Sequence, residues 1–424
     1  MVKSFKINKS IGPRQQYLIN KSIILNYIME NSKFLTRVKI ATKLGISPPT
    51  VSKIIDEFIS EGYVKELGKD DSTGGKKAIR LGFNAKNRSL IGVDLGKDRI
   101  RIAWGDLKGN ILEKHVGFKI YYKDKDLLDK VIAEIKSFID EIEKNKDNAG
   151  VFRKNLLGLC IGIPADIDPE SGKIISTPLF ESWEGLNIKE IFSKYFDIRI
   201  YIENSKNLSA LGEKYLGLGT KHRNFVILEV GEGIGAGIVI DNQLYKGATF
   251  SAGEVGFMIG DKKKLYSSYK LKGYMENMAS PNVLKRDILK IINSGEKTIV
   301  SDLVNNDLTK ITPAIVCKAA NMGDKHSKKI IKKVVENLAT IVLNLILVIN
   351  PEIIVISGDL TELPNVNNLF TEPIKKLVSN IIPFDLPIIE NASLGVDAGI
   401  SGCLIFALNN LMGNKYPYKI LIDK

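Results

Sequence analysis

The stretch EVGEGIGAGIVI, residues 229–240, has the form of a loop that does chemistry with phosphate. An apolar run breaks into alternating glycines and resumes as a strand, which lays backbone N–H groups around an anion. Glu232 stands in the middle of it. Two like charges roughly 4 Å apart cost about 1 kcal/mol in bulk water and about 4 kcal/mol at an effective dielectric near 20. Either Glu232 points outward as an ordinary surface residue, or the loop keeps its glycines for folding while losing affinity for phosphate. A second glycine turn precedes it. LIGVDLGKDRIRIAWGDLKGN begins at Leu90 and FVILEVGEGIGAGIVIDNQ at Phe225, and Asp94 with Glu229, Gly96 with Gly231 and Asp106 with Asp241 share an offset of 135. Each copy reads as strand, glycine turn, strand, polar turn, so two similar α/β lobes facing a cleft are expected.

The elements around these turns sit in a chain of 424 residues, long enough for several domains. Cys160, Cys317 and Cys403 show no paired spacing, which argues against a disulfide framework or a cysteine-rich zinc knot and fits a reducing cytoplasm. The most apolar run, 341–349, contains Asn344 and is too short to span a bilayer, and residues 1–10 are basic without an apolar core. The expectation is a soluble cytoplasmic protein with no membrane partner. Charge is concentrated at one end: residues 1–90 hold 17 Lys/Arg against 7 Asp/Glu, or +10 of the total +13, leaving +3 for the other 334 residues. A segment so basic points to a polyanionic partner.

That segment has the elements to read DNA. Ile23, Ile24, Tyr27 and Ile28 recur at helical spacing within 19–29, and a second short helix is expected over 37–44 with Gly45 as the turn. Ser47 is expected to cap a third helix and Pro48 to open it, with Val51, Ile54, Ile55 and Phe58 on the inner face. Pro49, Thr50, Ser52 and Lys53 then face outward. Strands at 63–67 and 78–83, joined by the tip GKDDSTGGKK, form a wing carrying Lys76 and Lys77. Such a helix fits a major groove about 12 Å wide. The candidate DNA contacts are Arg37, Ser47, Pro49, Thr50, Ser52, Lys53, Lys76 and Lys77, directed at phosphates and base edges of a double-stranded operator.

Taken together, ISPPTVSKIIDEFISEGYV, STGGKKAIRLGFN, IGVDLG, GIPADID, IENSKNLSALGE, GEGIGAGIVI, GATFSAGEVGF, GYMENMAS and NPEIIVISGD resemble the ROK family of sugar kinases and sugar-responsive repressors. The resemblance covers nearly the whole chain, and an N-terminal winged helix is the arrangement of the repressor branch. It implies an α/β fold in which a winged helix-turn-helix (1–87) precedes a two-lobed actin-like ATPase fold (88–208 and 209–411), the final helix returning to the first lobe, with a tail at 412–424.

The resemblance also shows where this chain departs from the kinases. Their catalytic aspartate, which takes the proton from the attacking sugar hydroxyl, corresponds to Ser205. A serine hydroxyl cannot accept a proton near neutral pH, so general-base catalysis, typically worth roughly 10²–10⁴-fold, is lost. Asp98 and Glu232 replace the small hydroxyls of the two phosphate loops. No catalytic residue and no nucleotide cofactor are expected. The family's zinc-binding histidine and three cysteines correspond to Phe257, Ser267, Tyr269 and Tyr274, so no metal is expected and aromatic packing is expected in its place. His115, His222 and His326 lie outside that motif. Asn204, Glu254 and Glu276 match positions that hydrogen-bond sugar hydroxyls. The reading is a sugar-sensing, catalytically inactive repressor that dimerises on DNA. The alternatives are an active sugar kinase carrying a DNA-binding module, and a ligand-free regulator whose degenerate lobes serve only as a dimer scaffold.

Overall fold

The computed structural model describes residues 12–31, 35–69, 78–96, 98–144, 149–168, 170–177, 179–269 and 272–411. Helices α1 (Pro13–Glu30), α2 (Arg37–Leu44) and α3 (Pro48–Ser60) and the antiparallel strands β1 (Val64–Lys69) and β2 (Ile79–Phe83) form the winged head. Apolar side chains at helical spacing build it. Ile24, Ile28, Ile40, Val51, Ile54, Ile55 and Phe58 are buried together with Leu81 from the wing. The second helix falls where its pattern placed it, closed by Gly45 in the left-handed conformation at φ 65°. The first helix begins six residues before the apolar pattern does.

The first lobe carries β3 (Ser89–Asp94), β4 (Arg99–Asp106), β5 (Ile111–Lys119), helices α4 (Leu127–Lys144) and α5 (Ala149–Asn155), β6 (Leu156–Ile163), the hairpin β7 (Asp166–Asp168) and β8 (Lys173–Ser176), α6 (Ile188–Ser193) and β9 (Arg199–Asn204). Helix α7 (Ser205–Leu216) leads to the second lobe: β10 (Phe225–Val230), β11 (Ile234–Ile240), β12 (Gln243–Tyr245), α8 (Tyr274–Ala279), α9 (Asn282–Asn293), α10 (Ile299–Leu303), α11 (Pro313–Asn321), α12 (Lys325–Ile349), β13 (Ile353–Ser357), α13 (Glu372–Ser379) and β14 (Ile388–Asn391). The sheets run β5-β4-β3-β6-β9 and β12-β11-β10-β13-β14, each with two antiparallel pairings followed by two parallel ones. This is the internal duplication that the offset of 135 announced.

The last helix, α14 (Ala398–Leu411), returns to the first lobe, where Leu404 and Cys403 pack with Leu90 and Cys160 and the Cys403 thiol donates to the Val93 carbonyl at 3.2 Å. Helix α7 packs by Ala210 on Phe225, Ile227, Val239, Ile353 and Val355 of the second sheet. The two helices lie against each other between the lobes. One continuous helix therefore crosses the boundary expected at residue 208. A Cβ on Gly402 would come 1.7 Å from the Leu208 carbonyl oxygen, and one on Gly212 would come 2.2 Å from that of Ala398. Glu213, fully buried, ties the end of α7 to the approach of α14 by accepting from Leu394 N at 2.7 Å and from the Ser393 hydroxyl at 3.0 Å.

The head is seated on the first lobe, at an apolar cluster that β3, β6, α7 and α14 build together. Met29, Tyr63 and Phe83 pack against the cluster that contains Leu404, Ala407 and Leu408. Arg88 donates to the Glu61 carbonyl at 2.8 Å and to that of Lys154 at 3.3 Å, joining the end of α3 to the first lobe. Because backbone rather than a flexible side chain opposes it, Gly402→Ala is expected to cost about 3 kcal/mol, read as a lower urea midpoint of the intact chain.

Candidate functional site

At the head, the start of α3 presents Pro49 and Lys53 exposed and Thr50 and Ser52 half-buried. Ser47 does not cap as expected: its hydroxyl lies 2.7 Å from the Thr50 hydroxyl, and its carbonyl accepts the Val51 N–H at 3.0 Å. The cap geometry is instead found one helix earlier, where the Thr36 hydroxyl accepts from Lys39 N at 3.3 Å. The Lys53 ammonium lies 5.2 Å over the Tyr17 ring, which holds it at the outer face without consuming its charge. Arg37 differs from expectation. Its guanidinium pairs with Asp56 at 2.8 Å and Glu66 at 3.4 Å, so it bridges α2, α3 and the wing instead of standing ready for a phosphate. Lys76 and Lys77 lie outside the described residues.

In the cleft, β9 and the first turn of α7 carry the candidate ligand groups. Asn204 is the N-cap of α7: its carbonyl oxygen accepts from Lys206 N at 2.9 Å and its amide donates to the Ala165 carbonyl at 2.8 Å. Glu276 is also occupied, accepting from Ile234 N at 3.0 Å and from Gly273 N at 2.8 Å, so it fastens the glycine loop to the start of α8. Glu254 accepts from the Lys206 ammonium at 2.6 Å. The structure thus brings Asn204 and Glu254 together around Lys206, and gives Glu276 a scaffolding position.

Asp166 and Ser251 complete this corner, 3.4 Å apart. Burial raises the Asp166 carboxyl to about 6, the Glu254 carboxylate adds to the rise, and the Lys206 ammonium opposes it. Burial works against the charge on Lys206, but Glu254, Glu229 and Asp166 outweigh it and its pKa is raised. Sequence reading missed Lys206, Asp166 and Ser251 as site residues, although all three stand in quoted motifs. The signal for Lys206 was a lone charge among small and apolar residues from Ser205 to Gly212.

Ser205 is buried at the base of the cleft beside Asp94, Gly96, Glu229, Ser357 and Gly358, and its hydroxyl has no hydrogen-bond partner among the described residues. Glu203, two residues before it, accepts from Asn204 N and the Asn207 amide and pairs with Lys246, so it is committed to holding the strand end. Glu232 is exposed at the loop tip. Burial, then the carboxylates of Glu232, Asp359, Asp98 and Asp94, raise the Tyr122 phenol, which places acids of both lobes around one point of the cleft. Asp98 also pairs with Arg101 at 3.7 Å. Two donors of the glycine loop are engaged: Gly231 N donates to the Gly233 carbonyl at 2.9 Å and Ile234 N to Glu276.

At the positions matching the family's zinc ligands, Tyr269 and Tyr274 meet edge-on with ring centres 5.9 Å apart. Phe257 and Ser267 are exposed and outside that contact. Among the described residues no group of three or more His, Cys, Asp or Glu is arranged to hold a metal ion, and no helix is long and apolar enough to cross a membrane. His115 lies 2.7 Å from Glu134 and His326 3.7 Å from Glu296.

Comparison with known proteins follows the same division of the chain. The family described as ROK family matches residues 90–410, and winged helix-turn-helix DNA-binding matches residues 20–65. The xylose repressor of Caldicellulosiruptor bescii is 33% identical over 398 residues, 93% of this chain and 96% of that one. The xylose repressor of Bacillus subtilis is 30% identical over 291 residues, 68% and 71% of the two chains. A crystal structure of a ROK family transcriptional regulator, a homolog of the E. coli MLC protein, superposes with a TM-score of 0.77 at 20% identity, covering 94% of this chain and 98% of that one. The last likeness carries the fold alone.

The raised Asp166 carboxyl has a stability consequence with a definite sign. Its native pKa of about 6 lies above the ordinary aspartate value, so the native state holds a proton that the unfolded chain has released between about pH 4 and 6. Its contribution to stability therefore falls as pH rises through that window. Asp166→Asn is expected to stabilise the chain at pH 8 by about 1 kcal/mol after solvent screening, with the gain shrinking toward pH 4, in urea unfolding followed across pH.

Proposed function

The chain belongs to the ROK family, and from that premise we propose that it is a DNA-binding transcriptional repressor whose two lobes sense a sugar, D-xylose, without phosphorylating it. The observation that carries this reading is one continuous line of packing. The head packs by Met29, Tyr63 and Phe83 on an apolar cluster to which β3, β6, α7 and α14 all contribute, α14 lies backbone to backbone on α7, and the start of α7 holds Asn204, Ser205 and Lys206 in the cleft. A ligand that prefers one lobe arrangement shifts the population toward it, and operator affinity changes when the head follows α14.

Three features support sensing without catalysis. Ser205 supplies no base, Glu232 and its neighbouring acids oppose a triphosphate, and the glycine loop spends two of its donors on the chain itself. D-Xylose is assigned because relatives matching this chain are named xylose repressors. DNA contact is assigned to Pro49, Thr50, Ser52 and Lys53 at the exposed start of α3, working as a homodimer whose heads read half-sites about one helical turn, or a multiple, apart in the cytoplasm.

Fluorescence anisotropy with genomic fragments tests the head. Selective, salt-sensitive binding is expected, D-xylose is expected to change its affinity about 5- to 150-fold, and Lys53→Ala is expected to weaken it while lowering the slope of log affinity against log salt by about 0.9. Absence of any selective fragment overturns the regulator. A coupled assay with Mg-ATP and a panel of pentoses and hexoses tests the lobes, with turnover no greater than a buffer blank expected; measurable sugar phosphate would make the protein a kinase.

A further inference from the structure

Lys206 is in an unusual place for a lysine. It stands in the first turn of a helix whose N-terminus repels cations, yet its side chain turns inward across the sheet instead of reaching for water. A Cβ on Gly235 would meet its Cδ at 2.2 Å, so the glycine of β11 makes the space that the stem occupies. The ammonium ends 2.6 Å from Glu254 of the second lobe, and its charge is also felt by Asp166 of the first.

The hydrogen-bonding roles at this corner are uneven. Binding a sugar takes donors for some oxygens and acceptors for the hydroxyl protons. One N–H of the Asn204 amide is held by Ala165, and each oxygen of the Glu276 carboxylate accepts a backbone N–H, which fixes both groups in place. Ser205 offers a short hydroxyl buried below the corner. Lys206 has three N–H donors, of which Glu254 takes one, and Glu254 has a second oxygen beside the one that Lys206 holds.

We propose that Lys206 is a sugar-contacting specificity residue: its ammonium and the Glu254 carboxylate it orients form an adjacent donor and acceptor that read two neighbouring hydroxyls of an uncharged sugar. The inference rests on the sugar-sensor reading above and adds the groups that contact the sugar and the reason they favour an uncharged one. Two carboxylates, Asp166 and Glu254, face one ammonium, so a phosphorylated or carboxylated sugar meets net repulsion at the corner. The ammonium is a donor fixed beside Glu254, so recognition is tied to the relative position of the two hydroxyls.

Calorimetry on the full chain tests this with D-xylose, the monodeoxy-D-xyloses and D-xylose 1-phosphate against the wild type, Lys206→Met and Lys206→Arg. D-Xylose affinity is expected to fall at least tenfold in Lys206→Met and less in Lys206→Arg, as for loss of a charged hydrogen bond. In the wild type, removing one particular hydroxyl is expected to cost a similar factor, and in Lys206→Met the same deoxygenation is expected to cost nothing further. The phosphate ester is expected to bind the wild type more weakly than D-xylose. Unchanged D-xylose affinity in Lys206→Met, or an equal loss for every deoxy sugar, which is what a purely structural pin gives, overturns the inference while leaving the sensor reading intact. Tighter binding of the phosphate ester overturns the charge class. Failure of the wild type to bind any of a panel of neutral sugars removes the sensor reading itself, and this inference with it. If Lys206→Met does not fold, Lys206→Gln completes the same comparison.

Discussion

Helices α7 and α14 approach until backbone meets backbone at Gly402 and Gly212, and the rest of the molecule is arranged around that contact. A side chain at either position would hold the helices apart, and with them the sheets that each one covers. Helix α7 lies on the second sheet through Ala210, and α14 on the first through Cys403 and Leu404, so the pair is the joint through which the lobes know each other's position. Close-packed interiors deform in discrete steps, and a joint with no compressible side chain between its halves transmits displacement instead of absorbing it. The buried Glu213 closes the joint at one end and the Asn204 cap organises it at the other.

Electrostatics sets which states of that joint are comfortable. Lys206 rises from α7 and holds Glu254 of the second lobe, while Asp166 of the first lobe stands close enough to feel both. Partly buried charges of this kind are costly when one partner is withdrawn, because the remaining group keeps its desolvation without its compensation. The ion pair therefore does more to define where the lobes sit than to stabilise the chain outright. In the proposed sensor, a sugar at this corner would draw on the same groups that set lobe position.

The architecture was legible because its signals are periodic and local. Helical spacing found α2, α3 and the core of the head, and the echo of Asp94, Gly96 and Asp106 in Glu229, Gly231 and Asp241 anticipated two sheets of equivalent order. What stayed hidden depends on partners far apart in the chain. Arg37 read as a free cation until Asp56 and Glu66 closed on it, and Glu276 read as a ligand until Ile234 and Gly273 were found donating to it. Ser47 carried the residue type of a cap, but the neighbouring Thr50 hydroxyl captured it. Residue type gives capability, while the competing partner decides its use, and that partner is a property of the fold.

The same distinction explains a glycine loop with a carboxylate in it. Alternation over 231–237 looks like a device for phosphate, but Gly235 and Gly237 share one face of β11 and meet α7 there. A Cβ at Gly235 would strike the Lys206 stem, and one at Gly237 would come 2.5 Å from the Ala210 Cβ and 2.8 Å from the Lys206 carbonyl oxygen. These glycines are needed for a helix to lie on a strand, whatever happens at the loop tip. Glu232 stands at the exposed tip, outside that packing. Part of a sequence signature associated with nucleotide binding therefore belongs to packing, the seating of α7 on β11.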